Sequence, residues 1–413
     1  MKLPFKIIIY ILISTCFAYS QNEKFTKRPR NEVREGPGNY FDLLRVLSSG
    51  VKISVLKTEG NWVNINTPDH TKGWMAKNCL SDEKPMNTEI KDLDKEWSSP
   101  KASKAGVAAA IRGFAQRYGE THGGDIAFLE SVDKQFITTN DFKVFLTQTQ
   151  SQTKQVPFNE ISNDAEKYFG DYSFADGEEK IGAGIASQVA AEGLVKDEKL
   201  LKYINLVGTY LFSSSPMYDI HFRFFVLDIP IPNAFAIPGG YIFVTKGMLE
   251  LCSNEAELAG AISHELMHIV LHHGMKEMQH RKPEQKMDAE FDALEAETQS
   301  SDTTEDALNA MARDMFDVIN KPRTILMEEE ADKGAAILLA HCGYSPSSLV
   351  NLVSKIESYA QNSATQELDD EQPFASLSFK ERKEVLQKYL KEKFEKNQGK
   401  DFQKRYQDNI KLK

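Results

Sequence analysis

The 413-residue chain has nine histidines, four cysteines and no long apolar run beyond its first twenty residues. Each shortage excludes something. After the N-terminus no segment reaches 18 clean apolar residues. The nearest, 222 to 244, is broken by Arg223, Asp228, three prolines and Gly239-Gly240. A membrane-spanning helix needs about 20 such residues, so the mature chain is not expected to be an integral membrane protein. A positive excess is also missing. The net charge of −10 argues against nucleic acid as a partner. Cysteine is too scarce for a disulfide scaffold. Beyond Cys16 only Cys79, Cys252 and Cys342 remain. A Cys252–Cys342 bridge and buried thiols both stay open. Serine-nucleophile elbows and phosphate-binding glycine loops are absent as well.

What is present begins with a leader. Lys2 and Lys6 precede the apolar run Ile7 to Ile13, and Ala18-Tyr19-Ser20 offers small residues for cleavage before Gln21. Residues 1–20 therefore read as a signal peptide and the mature chain as exported, periplasmic or secreted. Ile13-Ser14-Thr15-Cys16 loosely resembles a lipobox, but Thr15 is a poor residue before a modified cysteine. Lipid anchoring through Cys16 is thus the weaker alternative.

Residues 24–82 alternate in short strands around the turns Gly36-Pro37-Gly38, Ser49-Gly50 and Pro68-Asp69. With Trp62 and Gly73-Trp74 this pattern resembles bacterial SH3-like domains. The resemblance implies either binding of cell-wall peptides or positioning of an attached enzyme. By residue type alone, Trp62 and Trp74 read as core. Residues 83–100 are charged and bracketed by prolines, as a linker is. A helical segment is expected over 101–176. The tail from 380 to 413 carries 12 Lys/Arg against 6 Asp/Glu and reads as a solvated helical face.

Four of the nine histidines crowd into SHELMHIVLHHG, residues 263 to 274. His264 and His268 are four apart, so a helix stacks both on one face. Asn254 can cap that helix, with Glu257 reaching back. Leu258, Ile262, Leu266 and Ile269 form an apolar stripe roughly opposite the histidines. Two imidazoles at this spacing fit one tetrahedral zinc. Glu265 points beside the metal, where a carboxylate can take a proton from a zinc-activated water. His272 lies one turn further along the same face. His273 falls on another face, where a local hydrogen bond is expected.

A catalytic zinc needs a third protein ligand. A further histidine in the metzincin spacing is ruled out, because Leu271 and Gly274 occupy the required positions. The alternative is RTILMEEEADKGAAILLAHCGYSP, residues 323 to 346. Glu328 and Asp332 share a helix face there, and Ala331, Gly334, Ala335 and Ala336 let another helix approach. Glu328 can bind the metal while Asp332 orients a ligating histidine.

HExxH, the downstream ExxxD with GYSP, and NAFAIPGGYIFVTKGMLEL at 233 to 251 together resemble the HtpX-like and CAAX-prenyl-protease-type zinc metallopeptidases. The chain resembles their soluble, exported branch. The resemblance implies a multidomain chain: a small all-β SH3-like barrel, then a mainly α-helical zincin (gluzincin) α+β catalytic domain with a small sheet. It implies one Zn2+ per chain on His264, His268 and Glu328, with Glu265 as general base and Asp332 behind a ligand. Gly239, Gly240, Tyr241 and Ile242 resemble a strand whose edge pairs with extended substrate; Pro238-Gly239-Gly240 reads equally well as a hairpin turn. Arg382 matches a C-terminal arginine that helps stabilise the transition state. The family's His-Pro pair is replaced by Ser376-Leu377.

The expected function is a zinc metalloendopeptidase acting on exported or misfolded proteins. The catalytic domain is expected over 177–361 and a charged helical tail over 362–413. The acidic segment 281–320 reads either as a plug over the cleft or as an exposed hairpin. A chaperone-like or cell-wall-binding protein with a weak or silent protease site is the alternative.

Overall fold

Alternation of apolar and polar residues makes the first part of the chain fold as strands. A computed structural model describes residues 22–28, 31–85, most of 119–277, 312–316, 323–364, 379–395 and 398–412. The signal peptide, nearly all of the linker and Ser376-Leu377 lie outside the described residues. So does most of 281–320.

Seven strands form one antiparallel sheet: β1 (Asn22–Thr26), β2 (Asn31–Arg34), β3 (Leu43–Leu47), β4 (Lys52–Glu59), β5 (Trp62–Asn66), β6 (Lys72–Ala76) and β7 (Leu80–Ser81). Their order is β3-β2-β6-β5-β4-β1-β7. Inward-facing Val33, Ile53, Ile65 and Met75 close the core, each at most 2% exposed. Each such side chain contributes about 1.5–3 kcal/mol by leaving water. Gly60, at φ 58, makes the tight reversal between β4 and β5 that a side chain would strain. Trp62 and Trp74 are both buried in this core.

This barrel is docked on the rest of the chain. Tyr218 meets Trp62 edge-on, with ring centroids 5.6 Å apart. Tyr40 packs on Phe142 at 4.5 Å. Asn39 Nδ2 donates to the Ile220 carbonyl at 2.9 Å.

The second part is mostly helical. Short α1 (Ile126–Ser131) and α2 (Thr139–Gln150) lead to α3 (Ala165–Tyr168), α4 (Asp176–Ala190) and the largely buried α5 (Glu198–Ser213). A small sheet follows: β8 (Arg223–Leu227), β9 (Ala234–Ile237) and β10 (Tyr241–Thr245), in the order β8-β10-β9. Strand β10 pairs parallel with β8 and antiparallel with β9. Short α6 (Lys246–Leu251) then hands the chain to α7 (Glu255–Val270) and, after the acidic segment, to α8 (Ile325–Cys342).

Helix α7 corrects one expectation. An apolar stripe opposite the histidines suggests one buried face and one face on a cleft. Instead every residue from Glu255 to Val270 is buried. The reason is α8, which crosses close by. A Cβ on Gly334 would sit 2.7 Å from Met267 Cε, so the bare glycine leaves the methionine side chain its room between the helices. Asn254 caps α7 by accepting from the Glu257 amide at 2.9 Å. Glu257 reaches back to the Ser253 amide, one residue further than a capping box requires.

The basic tail has the solvated face its composition suggests, with Lys380, Lys388, Lys391 and Lys393 exposed, and a second face that is not solvated: after α9 (Ser347–Ala364), α10 (Phe379–Phe394) buries Phe379, Arg382, Leu386, Tyr389 and Phe394. Terminal α11 (Gln403–Asn409) brings Arg405 to Glu255, the first residue of α7. Tyr203 and Tyr344 donate to the same carboxylate at 2.8 and 2.7 Å. The tail thus clamps the helix that carries the histidines. Among the described residues no disulfide forms; Cys79, Cys252 and Cys342 are buried thiols. No helix of the described residues is long and apolar enough to cross a membrane.

Candidate metal centre

Helices α7 and α8 bring three donors together. His264, His268 and Glu328 each offer one atom within 4.8 Å of the others. The two Nε2 atoms are 3.0 Å apart. Glu328 Oε2 lies 3.3 Å from His264 Nε2, and Oε1 lies 3.4 Å from His268 Nε2. Ligands at about 2.0–2.1 Å around a tetrahedral metal stand roughly 3.3 Å from one another. The three separations therefore fit a single ion.

Behind the donors the charges are ordered. His264 Nδ1 faces Asp332 Oδ1 at 2.9 Å. Asp332 also takes Arg382 Nε at 2.5 Å and Nη2 at 2.8 Å. Arg382 Nη1 lies 2.9 Å from Glu328 Oε2. All four side chains are buried. Arg382 was visible in the sequence only through the family resemblance, and α10 delivers it. Its guanidinium braces both carboxylates instead of facing open space.

This pairing sets the protonation states. Burial lifts the Glu328 carboxyl, but Arg382 and His264 hold it well below the usual carboxylate range. Asp332 is lowered in the same way, Arg382 outweighing burial. Burial and Arg382 both pull His264 down, yet Glu328 and Asp332 carry it up to about 9. Two cations then balance two anions in the metal-free cluster. Burial holds His268 neutral, well below its ordinary value.

Glu265 stands apart from this network. Burial pushes its pKa up, against the pull of His264 and Arg323. Its Oε2 is buried and has no hydrogen-bond partner among the described residues. An orphaned carboxylate oxygen beside three converging donors is what a bound metal and its water would satisfy.

Of the two further histidines, His273 makes the local hydrogen bond expected of it, and that bond is to a metal-site histidine. His272 adopts φ 53, in the left-handed region. That reversal swings His273 back, so His273 Nδ1 stands 2.8 Å from His268 Nδ1. Helical spacing would put His272 nearer, because it assumes the helix continues.

The strand assignment also changes. Tyr241 and Ile242 lie in the middle strand, with both edges paired and both side chains buried. They offer no edge to a substrate. Gly239 and Gly240, at φ 79 and 85, form the hairpin turn between β9 and β10. The outer strand beside α7 is Ala234–Ile237. Periodicity marks a strand but does not say which strand is central.

Residues 203–391 match peptidase family M48, and residues 32–81 match the bacterial SH3 domain. This chain carries a peptidase family M48 domain. Among curated relatives, the mitochondrial metalloendopeptidase OMA1 of Schizosaccharomyces pombe is 29% identical over 121 residues, which is 29% of this chain and 34% of the relative. The beta-barrel assembly-enhancing protease of Escherichia coli is 26% identical over 174 residues, 41% of this chain and 35% of the relative. OMA1 of Arabidopsis thaliana is 31% identical over 134 residues, 32% and 25% respectively. The chain spans about a third or less of the length of these relatives. The M48 match supports a metalloprotease, and it ends at residue 391, within α10.

Proposed function

We propose that the protein is an exported, zinc-dependent metalloendopeptidase that hydrolyses peptide bonds in exported or misfolded proteins. The observation that carries this reading is the convergence of His264 Nε2, His268 Nε2 and Glu328 beside the orphaned Glu265 oxygen. These three donors would hold one zinc ion. Bound there, the metal supplies Lewis acidity toward a water and toward a peptide carbonyl.

The chain's own residues would do the rest. Asp332 accepts the proton on His264 Nδ1, which leaves Nε2 bare for the metal. Arg382 pairs with both buried carboxylates and keeps Glu328 ionised. Glu265 accepts the proton of the attacking water and returns it to the leaving amine. Its raised pKa makes it a better base than an ordinary surface glutamate. An extended peptide would pair along the outer strand Ala234–Ile237, whose backbone runs beside α7.

Binding of cell-wall peptides by the SH3-like barrel loses support at Trp62, because Tyr218 covers that ring. Positioning of the protease is the role that fits a docked barrel. Export rests on the leader read in residues 1–20, and the natural substrate would be met in that compartment.

The test is Glu265→Gln. The variant should keep one zinc per chain and lose cleavage of unfolded casein by about 10²–10⁴-fold. Cleavage at the wild-type rate would remove Glu265 as base. Zinc retained by a wild-type chain that cleaves nothing would favour the chaperone-like alternative.

A further inference from the structure

We propose that His273 is a positioning residue for the metal centre: it fixes the tautomer and ring orientation of His268, with Glu330 behind it. The inference rests on the zinc reading above.

The two ligating histidines are supported differently. His264 has a carboxylate directly behind it, at Asp332. His268 has none there. Its Nδ1 instead faces Nδ1 of a second imidazole, His273, at 2.8 Å. Two ring nitrogens at that distance share one proton. For His268 to present a bare Nε2 to the metal, the proton must be on its own Nδ1. His273 Nδ1 is then the acceptor and its Nε2 carries the hydrogen. That Nε2 lies 3.5 Å from Glu330 Oε2, a long contact for a neutral N–H facing a carboxylate. Lys167 Nζ holds Glu330 from the far side at 2.9 Å. The donors run from His268 through His273 to Glu330, and Glu330 also accepts from Lys167.

The backbone is arranged for this contact. His273 is fully buried although it lies past the end of α7. It gets there through the left-handed turn at His272, a conformation that a non-glycine residue adopts at a cost. The same triple-glutamate run that supplies Glu328 supplies Glu330, so α8 supports the site from both ends of the chain of contacts. With the opposite tautomer, His268 would point an N–H at Glu328 and His264 and could not ligate.

The experiment measures zinc affinity of the full chain by competition with a chromophoric chelator, with thermal melts alongside. His273→Leu fills the space without an acceptor and should weaken zinc by about 10–100-fold. His273→Asn places an amide oxygen near the former Nδ1 and should stay within about threefold of wild type. Equal affinity for wild type and H273L would overturn the proposal. So would H273N falling as far as H273L, since the acceptor would then be irrelevant. If H273L does not fold, Glu330→Ala decides at a side chain that is 21% exposed. It should weaken zinc about threefold in wild type and not at all in H273N. No change in wild type would overturn the proposal. A wild-type chain that takes up no zinc sinks the underlying reading instead, so the two failures are distinguishable.

Discussion

The core of the SH3-like barrel and the metal centre are both buried, but they are assembled in opposite ways. The barrel draws every ladder from residues 22 to 81, and three of the six are hairpins between neighbours in sequence. The metal centre joins His264 to Asp332 across 68 positions and Asp332 to Arg382 across 50. Local pairing is specified by alternation and turns, and it survives many substitutions. A site built from distant helices depends on each helix arriving in register. It therefore has few redundant parts. The barrel's core is apolar, whereas the centre is a set of buried charges whose neutrality depends on every member.

The sharpest way to break this contrast is to remove one charge. Asp332→Ala leaves Arg382 and His264 without their shared carboxylate. It should destabilise the helical region by about 3–5 kcal/mol. Hydrogen exchange should accelerate across α7, α8 and α10 and stay slow in β4 to β6. Equal acceleration in the barrel would mean that the two regions unfold as one body.

A smaller effect concerns protons. The metal-free His264 is held up at about 9, above its ordinary value. That protonation stabilises the metal-free fold fully below the unfolded value, and the stabilisation is lost as pH rises through about 9. Zinc has the reverse dependence, because it must displace this proton. Its affinity should rise about tenfold per pH unit and level off near pH 9. Chelator competition measures the slope; a flat profile from about pH 6 to pH 9 would contradict the balanced cluster. His264 lies in the helical region, so the melting of the barrel should not follow that profile.

The smallest expected effect lies where the two regions meet. A double-mutant cycle of Trp62→Leu and Tyr218→Leu should give a coupling of about 1 kcal/mol in denaturant unfolding. A coupling near zero would make the edge-on contact incidental.

The sequence made parts of the site legible and hid others for definite reasons. His264, Glu265 and His268 fall within one helical turn, so spacing alone places them together. Glu328 and Asp332 become legible only as a pair with that motif, since three glutamates at a helix start are ordinary. Arg382 is masked by the surrounding lysines, though Phe379, Arg382, Leu386 and Tyr389 recur at helical spacing on a face that proves buried. A local hydrogen bond is expected of His273, but that its partner is His268 depends on one backbone angle at His272. Tyr241 and Ile242 were read as a strand, and they form one. Which edge of that strand is covered depends on β8 and β9 together.

By itself the sequence determined what is local: strand alternation and turns in the barrel, the cap and helical face of the HExxH motif, and the small-residue surface of α8. Periodicity and short-range hydrogen bonding act within a few residues, so they can be read in order. Only the tertiary structure decided which distant charge meets which donor. Burial removes water from Glu328, Asp332, Arg382 and His264 together, and in that low dielectric their mutual contacts fix the protonation of each.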